Sequence, residues 1–194
     1  MSIDPPPAAP DPSGTLIVVD VQRGFINDFT AHIPARIGRL IDAAGYDPVY
    51  FTRFVNPPGS PYQRFLAWDD LAGPPETDLV PELAPLATPT TTFTKPGFTG
   101  LPDDLVERLR ADDPERVTIV GIDTDMCVLK VAMDVFDLGF EPIVLIDCCA
   151  STAGLLAHLA GLAVLSRNIG PHQLHDAGLN DGRLAAPVRT GRAG

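Results

Sequence analysis

Apolar positions in this chain gather into short unbroken runs separated by amphipathic stretches, and the two kinds of segment alternate. Thr15-Leu16-Ile17-Val18-Val19 is rich in β-branched residues and ends at Asp20, the pattern of a strand covered on both faces. Residues 35–44 carry a helical apolar stripe that Gly45 stops, and residues 49–52 read as a second strand. From 56 to 89 prolines and glycines break the periodicity, which predicts loops with short helices near 62–70 and 79–86, an insertion able to cover a pocket. A third strand at 91–95, a helix at 103–110 and a fourth strand at 116–120 follow. After Cys127, the positions Val128, Val131, Ala132, Val135 and Leu138 share one broad helix face that Gly139 ends. Ile143-Val144-Leu145-Ile146 is a fifth, doubly buried strand, and residues 155–165 form an apolar, alanine-rich helix. This alternation predicts an α/β fold: a three-layer, doubly wound, mostly parallel sheet with helices on both faces. No internal repeat is visible.

Composition narrows the classes of partner. A chain of 194 residues is long enough for one domain with a sizeable core. Residues 14–181 are expected to form that domain, residues 1–13 a flexible Pro-rich tail, and residues 182–194, with Arg183, Arg189 and Arg192, a mobile tail. A net charge of -11 argues against a nucleic-acid backbone or an anionic membrane surface as partner and leaves a small molecule. The N-terminus has neither a basic segment nor an apolar one, no run approaches the length of a membrane span, and three cysteines do not make a paired disulfide framework. The expectation is a soluble protein of the reducing cytoplasm.

Three chemistry-bearing residues follow predicted strands. Asp20 ends the first run, Lys95 ends Thr91-Thr92-Phe93-Thr94, and Cys127 lies where the fourth strand gives way to a helix, in Gly121-Ile122-Asp123-Thr124-Asp125-Met126-Cys127. The carboxyl ends of parallel strands share one sheet edge, so the three can converge despite their separation in sequence. A helix start offers unpaired N–H groups and the positive end of the macrodipole, which favour a thiolate and can hold an oxyanion. A buried cysteine taken alone is more often a small packing residue, and strand-end Lys and Asp are usually solvated or capping groups. Three such residues on three strand ends are harder to explain that way.

These segments resemble the isochorismatase-like cysteine hydrolases, which include nicotinamidases and N-carbamoylsarcosine amidohydrolases. Asp20-Val21-Gln22-Arg23-Gly24-Phe25, Thr94-Lys95-Pro96-Gly97-Phe98, the cysteine turn and Asp147-Cys148-Cys149-Ala150-Ser151 occur in that family's order and span most of the chain. The resemblance implies a Rossmann-like sheet with a short sixth strand at 173–175 and an Asp20-Lys95-Cys127 triad. It also implies an oxyanion hole from the backbone N–H groups of Asp123 and Cys127, a cis peptide at Ile122-Asp123, and a homo-oligomer, dimer or tetramer. The implied reaction is cleavage of a C–N bond in a small amide or ureido substrate through a thioester or carbamoyl-type intermediate.

Gln22, Phe25, Trp68 and Phe98 are candidates for the pocket wall, and Arg53 and Asn56 for holding a polar or anionic substrate group. Asp123 departs from the small apolar residue common in the family and places a carboxylate beside the oxyanion. No cofactor and no metal are expected. Nicotinamidases carry an Asp-x-His metal motif after the second strand, whereas this chain has Phe54 and Asn56 there and Tyr62 in place of a later histidine. Cys148 and Cys149 read as packing residues, and His172 and His175 as surface groups. Two alternatives stay open: an isochorismatase-type vinyl ether hydrolase, against which Cys127 argues, and a catalytically silent binding domain. A flavodoxin- or Rossmann-type nucleotide binder would need a glycine-rich phosphate loop after Asp20, and none is present.

Overall fold

The computed structural model describes residues 14–179. The expected tails lie outside the described residues. Six strands form one parallel sheet: β1 (Gly14–Val19), β2 (Tyr46–Phe54), β3 (Thr92–Lys95), β4 (Arg116–Ile122), β5 (Glu141–Ala150) and β6 (Leu174–His175), in the spatial order β3-β2-β1-β4-β5-β6. The chain winds outward from β1 to β3 and then returns to place β4 on the other side of β1. This reversal opens a crevice at the carboxyl ends of β1 and β4, where such sheets bind ligands.

Alternate residues of β1 serve two cores, which is why Leu16 to Val19 is apolar without a break. Ile17 and Val19 pack with α3 (Asp103–Asp112), α4 (Leu129–Asp137) and Leu165 of α5 (Leu155–Asn168). Leu16 and Val18 pack on the opposite face with Ile33, Ile37 and Leu40 of α1 (Ile33–Ala43). Each such fully buried aliphatic side chain contributes roughly 1.5–3 kcal/mol relative to exposure. Cys148 and Cys149 divide between the same two cores. No helix among the described residues is long and apolar enough to cross a membrane.

The structure departs from the sequence pattern mainly in the segment between β2 and β3. Only α2 (Pro61–Leu66) forms there as an α-helix, capped by the Ser60 hydroxyl and ended by Ala67 at φ 51°. The helix expected at 79–86 shrinks to a single 3-10 turn, Ala84–Leu86, because Pro81 and Pro85 remove two backbone donors. β2 and β5 are longer than their apolar runs, since parallel neighbours extend them through polar residues such as Arg53 and Asp147. His175, expected at the surface, is buried on β6, while His172 is exposed.

Gly121 fixes the approach of β4 to β1. It adopts φ 130°, and a Cβ there would lie 2.2 Å from the Val19 carbonyl oxygen. Any side chain would push apart the two strands that carry Asp20 and the cysteine turn.

Candidate active site

The end of β1 turns sharply at Asp20, which adopts φ 49°, a left-handed conformation that Asp tolerates better than most residues. Thr52 of β2 holds this turn at two points. Its Oγ1 accepts from the Asp20 N–H at 3.2 Å and donates to Asp20 Oδ1 at 2.7 Å. The other carboxylate oxygen, Oδ2, lies 2.7 Å from Lys95 Nζ, and both side chains are fully buried. Lys95 closes β3 opposite Phe54 in register, and its ammonium also lies 5.8 Å from the Phe54 ring centroid. It donates to Cys127 Sγ at 3.4 Å.

Cys127 sits in a π-helical turn, Thr124–Val128, whose Val128 N–H reaches back to the Asp123 carbonyl at 3.0 Å. The peptide bond between Ile122 and Asp123 is cis. α5 presses on this turn at Gly161, where a Cβ would come within 2.7 Å of the Asp125 Cα. His158 of α5 adds a 2.8 Å hydrogen bond between its Nδ1 and Thr124 Oγ1.

The buried pair and the thiol set one another's charge. Burial alone pulls the Lys95 ammonium down, but the Asp20 carboxylate and the Cys127 sulfur outweigh it by charge and hydrogen bonding, and the net direction is up. For Cys127, burial pushes the thiol up, Asp20 pushes it further, and Lys95 pulls only part of the way back. The net direction for the Cys127 thiol is therefore up. The thiolate that a helix start favours is outweighed here by loss of solvent.

A cavity of about 350 Å³ opens above Cys127. Phe25, Trp68 and Phe98, three of the expected wall residues, line it, and so do Phe54, Tyr62 and Asp123. The Asp123 carboxylate is turned to Thr152, accepting from its N–H at 2.6 Å and from its hydroxyl at 2.8 Å. Burial raises its pKa, the two Thr152 bonds lower it, and Asp125 and Asp20 add to the rise, with a net upward shift.

Gln22, Arg53 and Asn56 do not line this cavity. Gln22 is spent on the backbone, donating to the carbonyls of Phe54 and Thr77 and accepting from the Phe54 N–H. Arg53 reaches the Thr94 hydroxyl at 3.2 Å, because alternation along β2 turns it away from Thr52 and Phe54. Asn56 is buried and donates to the carbonyls of Trp68 and Asp70, while its own oxygen accepts from Ser60. It thereby positions the loop that carries Trp68 and Asp70. Its amide is committed, and Phe54 offers a ring, so this corner does not suit the metal that an Asp-x-His motif would hold. Among the described residues no group of three or more His, Cys, Asp or Glu side chains is placed to share a metal ion.

Thr52, Tyr62, Asp70 and Thr152 belong to the site without having been picked out by the sequence for these roles. Thr52 looks like any β-branched strand residue, and Thr152 follows a motif without being part of it. Tyr62 and Asp70 lie in the segment whose periodicity is broken.

The sequence profile described as the Isochorismatase domain matches residues 15–175. An isochorismatase domain-containing protein 2 from Xenopus laevis is 33% identical over 73 residues, a match covering 37% of this chain and 35% of that protein. Among solved structures, an isochorismatase-like hydrolase from Alkaliphilus metalliredigens superimposes with a TM-score of 0.72 at 19% identity, covering 85% of this chain and 95% of that one. N-carbamoylsarcosine amidase from Thermoplasma acidophilum gives 0.69 at 19% identity, with coverage of 86% and 97%. At such identities these two structures establish likeness of fold.

Proposed function

The chain belongs to the isochorismatase domain family, and we propose that it is a cysteine hydrolase that cleaves a C–N bond in a small amide or ureido substrate. The observation that carries this reading is the placement of Lys95 Nζ 2.7 Å from Asp20 Oδ2 and 3.4 Å from Cys127 Sγ beneath a cavity. An amidase among the structural relatives is consistent with it.

In this mechanism Asp20 takes the thiol proton as Sγ attacks the substrate carbonyl carbon. Because burial disfavours a free thiolate, proton transfer and S–C bond formation proceed together. The tetrahedral oxyanion is held by the backbone N–H groups of Asp123 and Cys127, an arrangement typically worth about 3 kcal/mol. Its collapse breaks the C–N bond, and Asp20 returns the proton to the leaving amine. A thioester or thiocarbamate remains on Cys127. Water, losing a proton to Asp20, then releases the acid or carbamate and restores the thiol. Lys95 stays protonated throughout, orients Asp20 and offsets the negative charge that forms on sulfur. No step uses a metal.

Residues 14–181 acting as one domain, a homo-oligomeric state and a cytoplasmic location complete the proposal. α5 supports the oligomer by presenting Leu155, Leu156, Leu159 and Val164 exposed on its surface. Three free cysteines, one of them required reduced, suit a reducing compartment.

The test is intact-protein mass spectrometry with peptide mapping during turnover of a panel of amides and ureido compounds, with ammonia or amine release followed in parallel. An acyl or carbamoyl adduct on Cys127 is expected, together with turnover that EDTA does not abolish. Amine release without any Cys127 adduct and at full rate in Cys127→Ala would refute the covalent route.

A further inference from the structure

The cavity above Cys127 is lined in a way that selects for charge. Its aromatic walls touch one another. The Trp68 ring lies 5.8 Å from Phe54, 5.7 Å from Tyr62 and 6.5 Å from Phe25, centroid to centroid, and Tyr62 lies 5.0 Å from Phe98. Among the described residues, the ionisable acids and bases that line it are two carboxylic acids, Asp70 and Asp123, with no Lys, Arg or His beside them. Asp70 also accepts from the Trp68 indole N–H at 3.0 Å, a bond that holds the ring. The buried cation nearby, Lys95, is engaged by Asp20 and Cys127.

Aromatic faces attract a cation through their quadrupole, most strongly where water is excluded, and a quaternary ammonium group has no N–H that needs a hydrogen-bond acceptor. An anionic substrate would instead meet two carboxylates in a protein of net charge -11. N-carbamoylsarcosine carries a carboxylate, and Arg53, the residue expected to meet such a group, points elsewhere. We propose that this cavity recognises a cationic alkylammonium group joined by a short linker to the scissile amide or ureido carbonyl. Its rings would cover the ammonium methyls, and Asp70, whose carboxylate also holds the Trp68 indole, would supply the counter-charge. The inference rests on the hydrolase reading for the word scissile, but the binding preference stands or falls without it.

The experiment uses the chain's single tryptophan, Trp68, as reporter. Its fluorescence is titrated with glycine betaine amide, with the neutral isostere 3,3-dimethylbutanamide, and with the anion malonamate. The expected result is binding of the cation about tenfold or more tighter than its isostere, with malonamate weakest. Asp70→Asn should lower the cation-to-neutral ratio by about two- to fivefold. Equal or weaker binding of the cation, no fluorescence response to it, or a ratio unchanged by Asp70→Asn would each overturn the proposal. Hydrolysis of the three amides is measured separately. Selective binding without hydrolysis would sustain the cation site and count against the hydrolase, whereas hydrolysis favouring the neutral amide would do the reverse.

Discussion

Cys127 and Cys149 offer the same group in nearly the same solvent, on neighbouring segments of the sheet edge. Both are buried, Cys149 pairs in register with Gly121 at the start of the cysteine turn, and burial is the leading cause that raises each thiol. Both also border a cavity: Cys149 one of about 240 Å³ between α1, α5 and β5, with His32 and His158 on its wall. The difference lies in what stands against the sulfur. Cys127 has an ammonium at 3.4 Å that itself holds a carboxylate, whereas the influences on Cys149 are the neighbouring Cys148, a Gly121 backbone hydrogen bond and Asp147. Burial and a nearby cavity therefore do not make a nucleophile. In the proposed mechanism, a proton acceptor and a cation fixed by separate strands are what single out Cys127.

The largest expected effect follows directly. Cys127→Ala should lower turnover by at least about 10³-fold, while Cys148→Ala and Cys149→Ala should stay within about twofold of the parent. Steady-state rates of the three variants decide this, and a comparable loss in Cys149→Ala would erase the contrast.

Next in size is the acceptor. If Asp20 acts as proposed, Asp20→Asn removes the group that receives the thiol proton, and kcat should fall by about 10²–10⁴-fold. Lys95→Ala should lower kcat too, and because it leaves a buried carboxylate unpaired it should also cost about 3–5 kcal/mol in urea unfolding. A Lys95→Ala protein as stable as the parent would mean that the pair is not buried as described.

A third comparison uses pH. Because the Cys127 thiol is shifted up, its alkylation by iodoacetamide should still be climbing above the free-thiol value of about 8.5, with Cys148 and Cys149 modified more slowly. The stability sign agrees. A group whose folded pKa is raised stabilises the fold fully below its unfolded value, and that contribution declines as pH rises past about 8.5 toward the folded value. Thermal melts should therefore drop on the alkaline side, and Cys127→Ala should flatten part of the drop. An alkylation plateau below neutral pH would contradict this ordering.

The smallest effect is expected at Thr52→Val, which removes the hydroxyl that orients Asp20 while keeping the side-chain volume. A fall in kcat of about tenfold, with KM nearly unchanged, would assign Thr52 to positioning the base. A change confined to KM would place it in substrate contact instead.

The alternation of buried runs with amphipathic stretches was enough to read an α/β sheet, because a strand covered on both faces leaves few polar positions in its pattern, as in Leu16 to Val19. The convergence of Asp20, Lys95 and Cys127 was legible for a related reason: each is a polar residue where a run gives way, and parallel strands bring such ends to one edge. Gln22, Arg53 and Asn56 were misplaced by the same reading. Nearness to a strand end says that a residue is close to the site, but only side-chain direction and hydrogen-bond commitment say whether it faces the cavity. The aromatic walls depended most on tertiary structure. Tyr62, Trp68 and Asp70 lie in a proline-broken segment with no period of its own, and Asn56, itself held by the Ser60 hydroxyl, ties down the Trp68 and Asp70 carbonyls that no helix or strand satisfies.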